Sequence, residues 1–323
     1  MGLGQQTVNT AYATPELALS IVVPVYNGAG SVPLLVEKLS ELEVEGGMEI
    51  VLVVDGSPDN SLAVCRDLCA RSKRSITVVN LSRNFGEHNA VMAGYSVARG
   101  EYIINMDDDL QNPPEEVLNL WRYAREHGFD VVYTRYAEKQ HDSWRNLGSR
   151  LTNWCADHLL DKPKGLYLSS FRCVNAFVAK TILDHTGPFP YVDGLIMQVT
   201  QNIGSLEVQH LPRAEGKSNY TVARLLRLFL SMFLNFSVIP LRIASVIGAT
   251  IGLVGFLALL WILVEALGGG TPRGWAFMTA SLLFLTGSQL ILFGIMGEYI
   301  GRLFLTANKR PQFVIRQVTR NTH

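Results

Sequence analysis

Charge is scarce in this chain. Lys, Arg, Asp and Glu make up only 17% of its 323 residues, and the signs cancel, 28 basic against 28 acidic. A zero balance gives no global footing for nucleic-acid binding, so no nucleic-acid partner is expected. Mean hydropathy is positive, and so low a charge content points towards a membrane. Cysteine is scarce as well: Cys65, Cys69, Cys155 and Cys173 form no Cys-x-x-Cys pair. Cys65 and Cys69 lie one helical turn apart and read as buried, reduced thiols of a cytosolic domain. The first 18 residues lack the basic start and apolar core of a signal peptide, and are expected to be a loose tail.

What the chain does have is alternation. From residue 19 to about 210, short apolar runs alternate with amphipathic stretches such as SVPLLVEKLSEL and NSLAVCRDLCARS. LSIVVPVYN, EIVLVVDGS, ITVVNLS, YIINMDDD and DVVYTRY read as five strands. Strand and helix in turn imply an α/β fold, a mostly parallel sheet with helices on both faces. Ligands of such sheets bind at the carboxyl ends of the strands.

The second half changes character. Residues 243–267 contain a single ionisable group, Glu265; as a helix this run would be roughly 37 Å long, enough to span a bilayer. After GGGTPRG comes a second run, 275–296, with no charge. The expectation is two transmembrane helices forming a hairpin, followed by a tail over 297–323. Arg224, Arg227 and Arg242 precede the first span, and Arg302, Lys309, Arg310, Arg316 and Arg320 follow the second. The connecting loop holds only Arg273, so the large domain, 19–220, is expected on the cytoplasmic side. Residues 221–242 carry arginines in an apolar helical pattern. They read either as a helix lying along the lipid headgroups or as a core helix of the soluble domain.

The polar motifs stand at strand ends. NMDDDLQNPPEE, residues 105–116, places Asp107, Asp108 and Asp109 side by side after an apolar run. Adjacent carboxylates repel, and burial worsens the repulsion. A hard divalent cation, Mg²⁺ or Mn²⁺, would offset it, binding one or two carboxylates and filling its shell with phosphate oxygens. In an extended segment Asp107 and Asp109 would share a side and Asp108 would face away. A solvated turn or a helix cap also uses acidic residues. Asp55 in VVDGSPDN closes a strand before Gly56; it suits either acceptance from a nucleobase N–H or a role in capping the next helix. Arg83 in LSRNFGEHNAVMAG is a candidate for a phosphate or for an aspartate.

VVPVYN, VVDGSPDNS, LSRNFGEHNAVMAGY and MDDDLQNPPEE, in this order, resemble family 2 glycosyltransferases of the GT-A fold. DLQNPPEE, DSWRNLGSRL, SSFR, HLPRAEGKSNYT and GEYIGRLF are similar to the polyprenyl-phosphate glycosyltransferases within that family. The likeness runs over residues 19–320. It implies a nucleotide-sugar-binding domain, a UDP-sugar donor, a polyprenyl phosphate acceptor such as undecaprenyl phosphate, and a homo-oligomer at the bacterial inner membrane. The product would be a lipid-linked monosaccharide for cell-envelope glycan or lipid A modification. Asp55 would meet the nucleobase, with Pro24, Tyr26 and Asn27 lining the same pocket. Asp107, Asp109 and Gln111 would hold the metal and, with Asp108, the donor's diphosphate. Arg172 and Arg213 would stand near the phosphates, and Arg145 and Ser149 would approach the acceptor. Arg224 and Arg227 would hold its anionic head.

Three departures accompany the likeness. Val54 stands where the family has a first aspartate. Ser170 replaces the glycine of S-G-F-R. Asn219 replaces a lysine, while Lys217 appears two residues earlier, within reach of the same phosphate through its long stem. Asp193 is a charge without a family counterpart, read as a solvated acid or a contact to the donor sugar. Two other readings compete. A processive polysaccharide synthase would carry Q-x-x-R-W and more spans. An inactive membrane scaffold would fit Val54 and Asn219, but not the intact Asp107-x-Asp109-x-Gln111.

Overall fold

The computed structural model describes residues 15–136, 166–209, scattered positions from 246 to 267, 274–308 and 310–321. The chain divides into two compact units, residues 1–219 with 311–323, and residues 220–310.

The first unit is built on an eight-stranded sheet: β1 Leu17–Val25, β2 Met48–Val54, β3 Ser75–Leu81, β4 Gly100–Asn105, β5 Val131–Tyr136, β6 Arg172–Asn175, β7 Ile203–Val208 and β8 Ile315–Arg320. The spatial order is β7-β5-β6-β4-β1-β2-β3-β8. Among the described residues the helices of this unit are α1 Val32–Ser40, α2 Ser61–Arg71, α3 Glu87–Val97, α4 Glu115–His127, α5 Ala176–Ile182 and α6 Val192–Val199.

Strands β4, β1, β2 and β3 run parallel. Every residue of β2, MEIVLVV, is buried, as expected of a central strand covered on both faces. Glu49 within it is fully buried and accepts from Ser20 Oγ at 2.8 Å and Arg99 Nη2 at 2.9 Å. That paired charge sits at the amino end of the sheet, so the end where the polar motifs gather is the opposite one. Pairing of β1 with β4 stops at Val22, two residues before Pro24, whose missing N–H therefore costs no rung on that side.

The five expected strands are present, and three more join them. β6 runs antiparallel between β4 and β5, and β7 parallel to β5. β8 is an antiparallel edge strand on β3. The expected tail boundaries shift accordingly. The amino-terminal strand begins at Leu17, which pairs with Gly100, and Glu16 bridges to Arg99 at 3.1 Å. At the other end, residues 297–307 continue a helix and 315–320 belong to the sheet, because backbone donors and acceptors of β3 need a partner on that side.

In the second unit, α7 spans Trp275–Ala307, 33 residues, about 50 Å by helical rise. Among the described residues it is the one helix long and apolar enough to cross a membrane, over Leu285–Ala307. Met278, Leu282, Leu290, Phe293 and Leu303 on it are exposed. The run 243–267 is described only in part; its described residues are helical, and Val246, Leu253, Trp261 and Leu267 among them are exposed.

Candidate active site

The strand order reverses between β1 and β4, the point at which ligands of such sheets bind, at the carboxyl ends of the strands. Four loops converge on it. The loop after β1 is tied to the loop after β2: Asn27 N donates to Ser57 Oγ at 2.8 Å, Gly28 N to Ser61 Oγ at 3.0 Å and Ala29 N to Asp59 Oδ2 at 3.2 Å. Asn27 adopts φ +57° to make this turn. Burial works against the Asp59 anion, but the Ser57 and Ser61 hydroxyls and the Ser61 and Ala29 amides hold its pKa down to about 2.

Asp55 is 4% exposed and ties the second loop to the third. Its two oxygens accept from Phe85 N at 2.7 Å and Gly86 N at 2.8 Å. Burial pushes its pKa up, opposed by these two bonds. Gly56, at φ +55°, lies so close to the third loop that a Cβ would stand 2.2 Å from Asn84 N, so only glycine fits. Arg83 is exposed, its guanidinium 4.5 Å from the Phe85 ring centroid. Tyr26 is 49% exposed. Asp55 thus braces the second loop against the third.

The acidic segment does not stay extended. β4 ends at Asn105, residues 108 and 109 form a turn, and Leu110 takes φ +60°. The side-by-side arrangement expected of Asp107 and Asp109 in a strand therefore gives way to a turn that uses each carboxylate differently. Asp109 Oδ1 accepts from Gln111 N at 3.2 Å, closing the turn. Asp108 packs under the first loop, where a Cβ on Gly28 would lie 2.1 Å from its Oδ2. Asp107 Oδ2 accepts from Ser170 Oγ at 2.7 Å. All three are partly exposed. Asn112 is buried and accepts from Tyr136 Oη at 3.1 Å, which fixes the turn into Pro113, Pro114 and α4. Tyr136 meets Tyr167 edge-on at 6.1 Å, and burial with the Asp107 charge raises its pKa.

Ser170 and Tyr167 were not among the expected site residues. Tyr136 carried a signal, since it closes an apolar run as Asp55 and Asp107 do. Ser170 was visible only as a departure from the family pattern.

Arg172 is placed differently from expectation. It is 3% exposed, and its guanidinium pairs with Asp193, itself 7% exposed. Asp193 also accepts from Tyr133 Oη at 2.9 Å. The guanidinium is thus paired in the interior of the first unit. Asp193 is correspondingly not a solvated acid. His88 contacts Tyr191 edge-on at 5.1 Å; burial pushes its pKa down to about 4, with Asp193 opposing and Arg172 adding. Arg145, Ser149, Arg213, Lys217, Arg224 and Arg227 lie outside the described residues.

Among the described residues no cluster of three or more His, Cys, Asp or Glu side chains has a metal-binding arrangement. The donor chemistry of the turn still suits one kind of ion. Asp107, Asp109 and Gln111 would offer a cation only oxygen ligands, two carboxylates and an amide carbonyl, with no His or Cys among residues 107–111. Such a short oxygen set fits a hard divalent cation that draws most of its shell from a phosphorylated ligand and water.

Residues 20–185 match the model of glycosyl transferase family 2. The undecaprenyl-phosphate 4-deoxy-4-formamido-L-arabinose transferase of Pseudomonas aeruginosa (strain LESB58) is 35% identical over 309 residues, covering 94% of this chain and 91% of that protein. The protein of the same name from Serratia proteamaculans (strain 568) is 34% identical over 310 residues, covering 94% of each. Among solved structures, glucosyl-3-phosphoglycerate synthase from Mycobacterium tuberculosis in complex with Mn²⁺ and UDP-glucose aligns with a TM-score of 0.49 at 16% identity, over 68% of this chain and 77% of that one. S. aureus TarS in complex with UDP-GlcNAc aligns with a TM-score of 0.47 at 20% identity, over 69% and 68%.

Proposed function

The chain belongs to glycosyl transferase family 2, and we propose that it moves a sugar from a UDP-sugar to a polyprenyl phosphate, undecaprenyl phosphate in a bacterial inner membrane. The observation that carries this reading is the acidic turn at the point where the strand order reverses. The relatives named for undecaprenyl phosphate support the choice of acceptor.

In this reading Asp107, Asp109 and Gln111 hold a Mg²⁺ or Mn²⁺ ion, which when bound neutralises charge on the departing diphosphate. Pro24, Tyr26 and Asn27 face the nucleobase, on a framework braced by Asp55. Asp108 fixes the turn against the first loop. Arg83, exposed at the end of β3, offers a cation to the diphosphate. Arg213 and Lys217 serve the same phosphates. Arg172 acts as a positioning residue through Asp193. The acceptor phosphate's second pKa is near 6, so it is largely dianionic at neutral pH and needs orientation rather than deprotonation. Arg145, Ser149, Arg224 and Arg227 supply that orientation. Attack from the face opposite the diphosphate inverts the anomeric carbon.

The apolar runs 243–267 and 275–296, the second continued by the rest of α7, anchor the enzyme in the bilayer. Residues 221–242 lie at the headgroups, and the catalytic domain is on the cytoplasmic side. The full chain acts as a homo-oligomer, and its product serves cell-envelope glycan or lipid A modification. The test is transfer by purified full-length protein from a panel of UDP-sugars to undecaprenyl phosphate. One sugar should appear on the lipid with Mg²⁺ or Mn²⁺ and none with EDTA. Absence of both transfer and UDP binding would overturn the reading.

A further inference from the structure

We propose that Ser170 is a positioning residue for Asp107, so that the cation affinity of the site depends on its hydroxyl. This rests on the functional reading above and extends it to a residue with no place in that mechanism.

The juxtaposition is set by the sheet. β4 and β6 run antiparallel, and their last paired residues towards the site are Asn105 and Arg172. Asp107 lies two residues beyond Asn105, and Ser170 two residues before Arg172. In an antiparallel ladder continued in this register, Met106 would oppose Phe171, and Asp107 and Ser170 would be the next opposed pair on the same face as Asn105 and Arg172. The contact realises that geometry: Ser170 Oγ donates to Asp107 Oδ2 at 2.7 Å.

The segment presenting the hydroxyl is itself locked. Phe171 is fully buried. Its carbonyl accepts from Thr134 Oγ1 at 2.7 Å and from Ser169 Oγ at 2.8 Å. Ser169 Oγ and Thr134 Oγ1 are 2.9 Å apart. Residues 169–171 are thus bound to β5 on one side of Ser170 while β6 begins on the other. A hydroxyl on so fixed a base sets the rotation of the Asp107 carboxylate before any ligand arrives. Groups that orient a ligating carboxylate from outside the coordination shell are worth tenfold or more in metal affinity.

The experiment measures Mn²⁺ binding in the presence of UDP, without acceptor or turnover, by electron paramagnetic resonance of free Mn²⁺ on the full-length protein. Ser170→Ala should weaken Mn²⁺ binding about tenfold. Ser170→Thr, which keeps the hydroxyl, should restore it. Asp107→Asn should abolish it. Wild-type Mn²⁺ affinity in Ser170→Ala, beside a loss in Asp107→Asn, would overturn the role of Ser170 and leave the functional reading standing. A lowered melting temperature with unchanged Mn²⁺ affinity would likewise mark a merely structural hydroxyl. Wild-type Mn²⁺ binding in Asp107→Asn would overturn both.

Discussion

Arg172 and Asp193 show what a single buried pair does for this site. Both are almost wholly enclosed, and each comes from a different element, β6 and α6. Among the described residues Arg172 Nε has no hydrogen-bond partner, so desolvation of the cation is only partly offset there. Removing one partner should cost far more than removing both. Arg172→Met alone should destabilise the protein by about 3–5 kcal/mol, because Asp193 is left charged and buried. Arg172→Met combined with Asp193→Leu should recover most of that loss. Denaturant titration of the two single variants and the double variant measures the difference. Additive losses would show that the pair is not energetically coupled. The pair was hard to read from sequence. Arg172 and Asp193 lie 21 residues apart, and neither sits in a periodic apolar pattern that marks burial.

At the scale of elements, the edge strand β8 closes the sheet from the far end of the chain. Asn321, just past it, is its anchor. Asn321 Oδ1 accepts from Ile76 N at 2.7 Å, and its Nδ2 donates to Arg74 O at 2.7 Å and Ser72 O at 3.1 Å. Gln312 Nε2 donates to the His185 carbonyl at the other end of the same segment. Asn321→Ala removes three bonds at once. It should lower stability by about 1–3 kcal/mol and speed amide exchange along β8 and β3; unchanged exchange there would contradict an anchoring role. The five strands legible in the sequence are those whose apolar runs are continuous or nearly so, as parallel core strands require. The three missed strands lack that signal. RCVN is four residues long and opens on a charge. IGSLEV and IRQVTR alternate with polar residues, and the second lies beyond a long apolar helix, where sequence distance hides the pairing. The acidic turn was legible as a cluster at a strand end. Its internal arrangement was not, because Leu110 takes a left-handed conformation that side-chain pattern does not announce.

At the scale of the whole molecule, one chain joins a sheet whose polar loops gather at its carboxyl edge to a helix whose apolar side chains stand exposed along its length. Exposed Met, Leu and Phe over such a stretch need a nonaqueous partner. A transferase that hands a water-soluble donor's sugar to a lipid phosphate needs both parts. In the proposed function the acidic turn carries the chemistry. The most direct test is sugar transfer from the UDP-sugar donor to undecaprenyl phosphate by Asp109→Asn, in detergent, beside the wild type and with melting temperature as the control for folding. The variant should be folded and show no measurable transfer. Wild-type turnover in that variant would contradict it.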